Sequence, residues 1–349
     1  MKWVYGAALL LAAVLLVVLV PAHRVSPTTS PFVTRHGAML LRNGKPFRFV
    51  GVNCYRLLEY ADDPEPVFAP LAAHGVKVVR FWAFQPMCSA VTGDFSRIEK
   101  LVAGAKRHDI LLLPVLENHW SDCTLSMSLK PKEWYAAGWR TNAFGAVSLP
   151  YGEFLRAIGA WFRDEPQILA WQLINEPEIE PDTDENFALL RQFARDAARE
   201  LKHADPHHLV SLGLLGLGQP ATARDKFSAL HRLGDIDLVS AHDHGYIYDP
   251  MPGRDWRDPG NSFYGDLRDA ATLGKPFLAS ESGIPLPWVQ GDRSRRAELF
   301  RAKLRAFFAA GGAGYLVWNF EPETDTECGF DADDPLLPAL AQAAGELSF

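Results

Sequence analysis

Ile168-Leu169-Ala170-Trp171-Gln172-Leu173-Ile174-Asn175-Glu176-Pro177 is a short, mostly apolar run that ends abruptly in an amide, a carboxylate and a proline. A run of this length and composition suits a strand buried on both faces. The proline closes it and leaves Glu176 at its C-terminal tip. A second run of the same kind, Pro276–Glu281, continues as Ser282-Gly283 and carries Glu281 at its tip. A buried carboxylate is costly unless it is paired. Two strand-tip carboxylates, with Asn175 beside the first, therefore point to acid/base and nucleophilic chemistry by a pair.

Reading outward, a strand-then-helix rhythm runs from about residue 47 to the end. Strands are expected at Phe47–Asn53, Val76–Phe84, Ile110–Glu117, Ile168–Asn175, Leu209–Leu215, Leu238–His242, Pro276–Glu281 and Gly314–Asn319. Amphipathic helices are clearest at Asn186–Ala204 and Arg293–Ala310, where apolar residues recur at three-to-four spacing. Eight such strands in roughly 300 residues predict an α/β protein, a (β/α)8 TIM barrel. A doubly wound sheet is the runner-up, but no Gly-rich phosphate fingerprint follows the first strand. Ahead of the barrel, Phe32–Leu41 and Pro46–Val50 flank Arg42-Asn43-Gly44-Lys45, an Asn-Gly hairpin signal expected to plug the barrel bottom. No internal repeat and no second domain are evident, so the catalytic barrel is assigned to residues 32–349.

Residues 1–22 differ in kind. Residues 4–20 are unbroken apolar sequence after Lys2, at the short end of what spans a bilayer. They read as a secretory signal peptide or an N-terminal membrane anchor, followed by a linker over 23–31. Either way the folded part is expected outside the cytoplasm, secreted or periplasmic. A net charge of −7 and the absence of a Lys/Arg cluster argue against a nucleic-acid surface. The densest basic stretch, Asp292-Arg293-Ser294-Arg295-Arg296, falls on an expected helix start and reads as a solvated helix face.

Barrel enzymes react at the C-terminal ends of their strands. The tips gather Arg80, Asn118, His119, Glu176, His242, His244, Glu281 and Trp318. A retaining glycosidase needs two carboxyls about 5–5.5 Å apart, one as acid/base and one as nucleophile. A guanidinium keeps the nucleophile ionised, a role that suits Arg80. Asn175 suits a sugar hydroxyl, and Trp82 and Trp318 offer flat faces for a sugar ring. Trp171, mid-strand, is read as core. His242-x-His244 has the spacing of a strand metal site, but with no further His or Cys on that tip no metal is assigned. Trp134 to Arg140 is either a sugar platform or a loop packed on its own aromatics. His207-His208 is placed at the bottom as structural. Glu321, Glu323, Asp325 and Glu327 form a solvated acidic loop, a calcium site or a polar rim. No Gly-x-Ser-x-Gly elbow supports a serine hydrolase.

These residues resemble clan A glycoside hydrolases, and within them family five: Asn175-Glu176-Pro177 matches the acid/base motif, and Glu281 before Ser282-Gly283 matches the nucleophile. Phe32-Val33, Leu41-Arg42-Asn43-Gly44-Lys45-Pro46-Phe47, Gly51-Val52-Asn53, Arg80-Phe81-Trp82-Ala83-Phe84 and Ala170–Pro177 resemble the β-mannanase-type members. The resemblance implies retaining hydrolysis of a β-linked polysaccharide or oligosaccharide without a cofactor, with Arg80, Asn175, His242 and Trp318 lining the subsite of the cleaved sugar. Two departures stand out. The family usually has His-x-Tyr where this chain has His242-Asp243-His244, so His244, or a tyrosine from Tyr246 or Tyr248, would meet the nucleophile. Strand five, Ser211–Gly216, lacks the acid many mannanases carry. A β-1,4-glucanase, an exo-acting glycosidase and a non-catalytic carbohydrate-binding barrel remain as alternatives. The four cysteines fall on loops at the catalytic side. Strand adjacency in such a barrel gives Cys88–Cys123 and Cys54–Cys328 as the expected disulfides.

Overall fold

The computed structural model describes residues 30–88, 93–121, 129–141, 149–216, 219–244, 263–323 and 326–347. The apolar segment 4–20 and nearly all of the linker lie outside them, as do Cys123, Tyr246, Tyr248 and Asp325 and the side chain of Cys88. Among the described residues no helix is long and apolar enough to cross a membrane.

The chain enters as a three-stranded antiparallel meander of β1 (Thr34–His36), β2 (Met39–Arg42) and β3 (Lys45–Phe47). Asn43 and Gly44 turn β2 into β3 with φ of 54° and 73°, the left-handed pair that a tight hairpin turn requires. Eight parallel strands follow: β4 (Phe49–Asn53), β5 (Val78–Trp82), β6 (Leu111–Val115), β7 (Ala170–Asn175), β8 (Leu209–Gly213), β9 (Val239–His242), β10 (Phe277–Glu281) and β11 (Gly314–Val317). Their order is β8-β7-β6-β5-β4-β11-β10-β9. A parallel bridge between Ser211 and Leu238 brings the two outer strands together and closes the barrel. All eight sequence-predicted strands are present in the predicted order.

The alternation of each strand sorts its side chains. Phe49, Val78, Leu111, Leu113, Leu278 and Leu316 turn inward as one apolar layer at the bottom, sealed by Val33 and Leu40 of the meander. The hairpin does plug the bottom, with β1 as an added strand. The intervening residues, among them Val50, Val79, Phe81, Leu112, Trp171 and Val210, join the larger core between strands and helices. Each fully buried aliphatic side chain stabilises by about 1.5–3 kcal/mol. The helix Asp184–Ala204 begins where Thr183 accepts a hydrogen bond from the Asn186 amide, and the helix Arg293–Ala309 where Asp292 accepts from that of Arg295.

Two expectations are corrected. The basic stretch at Arg293 is not uniformly solvated. Arg296 is fully buried and donates to Asp334 at 2.7 Å and to the Gly329 carbonyl. Further along the same helix, Lys303 is buried against Asp243 at 2.9 Å. The helix packs its charged side as well as its apolar side, so three-to-four periodicity alone misreads which face meets the barrel. The Cys54–Cys328 disulfide is absent: both are free thiols. β4 and β11 do pair, but Cys328 lies well beyond the end of β11. There the chain has returned to the β10 side, where Glu327 accepts from the Leu286 amide and the Cys328 sulfur sits against Gly283. Burial raises the Cys328 thiol to about 11 and raises that of Cys54 as well. The Cys88–Cys123 pair falls outside the described residues.

Candidate active site

The inward positions above the apolar layer are polar. Asn53 (β4), Arg80 (β5) and Gln172 (β7) are all fully buried. A buried guanidinium must have its donors satisfied. Arg80 Nε donates to Gln172 Oε1 at 2.8 Å, Nη1 to Asn53 Oδ1 at 2.8 Å and to Glu281 Oε1 at 2.6 Å, and Nη2 to Asn175 Oδ1 at 2.7 Å. One arginine thereby fixes the tips of β7 and β10 relative to one another. Gly213 of β8 leaves the room this needs, since a Cβ there would come 2.8 Å from Gln172 Oε1 and 2.7 Å from the Ile174 carbonyl.

Glu176 and Glu281 meet at one mouth of the barrel. With the imidazoles of His242 and His244 they form a group whose inward donor atoms all lie within 4.8 Å of one another. The strand-tip carboxylates are thus a facing pair, with an oxygen of each within 4.8 Å of the other. Glu176 Oε1 is 2.6 Å from His242 Nδ1, and Oε2 accepts from Trp120 Nε1 at 2.7 Å. Its backbone has φ of 46°, the strained left-handed region for a non-glycine residue. Its amide is held by the Gly213 carbonyl at 2.6 Å. Glu281 Oε2 accepts from His244 Nε2 at 3.1 Å and lies 3.5 Å from His242 Nδ1.

The charges follow from these contacts. Burial acts to raise the Glu281 carboxyl, but the Arg80 guanidinium and the His244 hydrogen bond outweigh it and hold the group below the usual carboxylate range. Burial pushes His242 down to about 3, so its ring is neutral. Burial opposes the charged form of His244 too, but its bond to Glu281 and the nearby Glu281, Glu176 and Asp243 charges prevail and raise it. His244 therefore meets the nucleophile position, as one of the two sequence options held. Tyr246 and Tyr248, the other, lie outside the described residues.

Other expected site residues divide. Trp318 is half-buried and stacks on Tyr55 at 5.4 Å. Trp82 is 2% exposed, with Phe84 stacked at 5.1 Å and the Arg80 guanidinium 4.7 Å over its ring. It supports Arg80 and has no free face for a sugar, which corrects its assignment as a platform. Trp134, Tyr135 and Trp139 are buried around Phe193 and Tyr151 of two neighbouring helices, so these aromatics pack into the core. Glu321 is not solvated: it accepts from Asn319 Nδ2 at 2.6 Å. His208 lies buried between Asp205 at 2.6 Å and the Glu165 carbonyl, a structural contact.

Sequence reasoning missed several residues. Trp120, the contact of Glu176, directly follows the strand-tip pair Asn118-His119, and that position was its available signal. Gln172 and Asn53 are ordinary inward positions whose partner is visible only in three dimensions. Behind the site, Lys303 and Tyr315 both donate to Asp243, and Ser282 bonds the Tyr315 hydroxyl at 2.6 Å. This ties the residues flanking His242, His244 and Glu281 to β11 and a helix.

The comparisons with known proteins agree with this geometry. A family profile described as GH family 5 beta-mannosidase-like matches residues 156–249. Mannan endo-1,4-beta-mannosidase 3 of Oryza sativa subsp. japonica is 27% identical over 84% of this chain and 73% of its own length. Mannan endo-1,4-beta-mannosidase 7 of the same plant is 26% identical over 83% and 89%. Among solved structures, the endo-1,4-beta-mannanase of Rhizomucor miehei aligns with a TM-score of 0.70 at 19% identity, covering 90% of this chain and 99% of that one, which establishes the shared barrel fold. Together with the paired glutamates at the barrel mouth, these matches support a glycosidase similar to glycoside hydrolase family 5, near the mannanases of that family.

Proposed function

We propose that this glycosidase is an endo-acting β-1,4-mannanase that works by double displacement. Glu176 protonates the departing glycosidic oxygen. Glu281 attacks the anomeric carbon through Oε2, since Arg80 occupies Oε1 and fixes the plane of the carboxylate. Glu176, now ionised, takes a proton from water, which hydrolyses the glycosyl-enzyme. His244 donates to the same Oε2 and assists its departure in the second step. Trp120 and His242 hold the two oxygens of Glu176 between them. Trp318 and Asn175 suit the face and a hydroxyl of the sugar being cleaved.

The carrying observation is the approach of the two carboxylates at one barrel mouth. The substrate class rests on the mannan-cleaving relatives. Product analysis on mannan, mixed-linkage glucan and cellulose tests it, with Glu281→Ala as control. Oligosaccharides from mannan alone are expected. Release of single sugars only would replace the endo reading with an exo one, and turnover by the alanine variant would remove the assignment of Glu281. Action outside the cytoplasm, after export through residues 4–20, fits a polymeric substrate. Mass spectrometry of the N-terminus from producing cells distinguishes cleavage near residue 22 from retention as an anchor.

A further inference from the structure

The four groups at the barrel mouth are arranged as a metal site as well as a catalytic pair. Each carboxylate has one oxygen held from outside: Glu281 Oε1 by Arg80 and Glu176 Oε2 by Trp120. The other two oxygens, Glu176 Oε1 and Glu281 Oε2, turn toward two imidazole nitrogens, His242 Nδ1 and His244 Nε2. The separations are 2.6 Å for Glu176–His242, 3.1 Å for Glu281–His244 and 3.5 Å for Glu281–His242, and ligand atoms of the four residues all lie within 4.8 Å of one another. Zn²⁺ bonds of about 2.0–2.2 Å in a tetrahedron place ligand atoms roughly 3.4 Å apart. The observed spacings bracket that value. The outer bonds of Arg80 and Trp120 play the part of the second shell that orients metal-bound carboxylates. His242 is fully buried, and its Nε2 is without a hydrogen-bond partner among the described residues. Its only polar engagement there is through the nitrogen that faces the two glutamates.

We infer that Glu176, His242, His244 and Glu281 bind one divalent first-row transition ion, of which Zn²⁺ is the type, and that this ion reversibly inhibits hydrolysis. A two-nitrogen, two-oxygen set of this size favours Zn²⁺ and its neighbours over the hard, all-oxygen cations Mg²⁺ and Ca²⁺. No bond is made or broken in substrate. The bound ion occupies the oxygen of Glu281 that attacks and an oxygen of Glu176 that carries the proton, so metal and glycan exclude one another. The fourth ligand, His244, is what this chain adds to the strand tip.

Isothermal titration of the metal-free protein with ZnCl₂, in the absence of any glycan, tests this. One Zn²⁺ per chain is expected, with no comparable binding of MgCl₂ or CaCl₂. Co²⁺ is expected to give the visible absorption of a four-coordinate ion. His244→Gln, in a half-exposed position and checked for its fold by circular dichroism, is expected to weaken Zn²⁺ by at least about 10-fold. Glu281→Ala provides a second variant with the same expected direction. In activity assays Zn²⁺ is expected to raise KM with little change in kcat and to be reversed by a chelator. Absence of binding below millimolar Zn²⁺, equal binding of Ca²⁺, or unaltered binding in both variants would overturn the site. Because the titration needs no substrate, a protein inactive on mannan would sink the proposed function and leave this result standing.

Discussion

The two mouths of the barrel are built from the same strands and the same alternation, yet they are opposite in chemistry. At the bottom, inward positions are Phe49, Val78, Leu111 and Leu278, closed by Val33 and Leu40. Two to four residues up the same strands stand Asn53, Arg80 and Glu281, joined by hydrogen bonds of 2.6–2.8 Å. The bottom is held by the removal of apolar surface from water, which is non-directional and tolerates small errors of position. The top is held by a buried guanidinium whose partners must all be in place, because each one left unpaired is costly. The bottom contributes stability alone, while the top carries the chemistry and a directional stability term of its own.

The sharpest break in that comparison is Glu281→Ala. It is expected to lower kcat by at least about 10³-fold and to lower the melting temperature as well, because the buried Arg80 guanidinium loses its carboxylate partner. Stopped assays and thermal unfolding of the same preparation check it. Arg80→Met sits at the junction of both regimes. Removing the guanidinium strands Glu281 and three amide oxygens, so a loss of about 3–5 kcal/mol in stability is expected, together with activity. Arg80→Lys is not expected to restore it, since a single ammonium cannot reach four acceptors. A lysine variant with near-normal denaturant midpoint and rate would show that the network is dispensable.

Leu278→Ala, three residues below Glu281, is the mirror experiment. It is expected to cost about 2–5 kcal/mol by urea denaturation while kcat/KM stays within about twofold at temperatures where the protein is folded. His244→Gln is a smaller test at the top. His244 donates to Glu281 and carries charge below its raised pKa, so it favours the ionised nucleophile. Removing it raises the Glu281 pKa, and the acidic limb of kcat/KM is expected to move to higher pH, with roughly a tenfold loss on that limb. An acidic limb that stays in place would show that Arg80 alone sets the charge. Gly44→Ala, at φ of 73° in the bottom hairpin, is expected to cost only about 1 kcal/mol and leave the kinetics untouched.

The sequence carried the barrel because its evidence is local and repeated: eight apolar runs, each followed by a helical pattern, and turn residues between them. It carried Glu176 and Glu281 for the same reason, since a carboxylate that ends a buried run is visible without a partner. It did not carry Gln172, Asn53 or Trp120, which look like any strand or loop residue until the barrel closes around Arg80 and Glu176. Nor did it show that Trp82 backs Arg80, that Arg296 and Lys303 turn inward, or that Cys328 returns to the β10 rim.

By itself, then, the amino-acid order determined the strands, their succession and which two acids stand at strand ends, because hydrophobic periodicity and chain punctuation act within a few residues. Only the tertiary structure decided which oxygen faces which donor, which aromatics are buried and which thiols stay apart. Those outcomes depend on the angle and depth at which distant strands meet, and a side chain's partners there are set by closure of the sheet rather than by its neighbours in the chain.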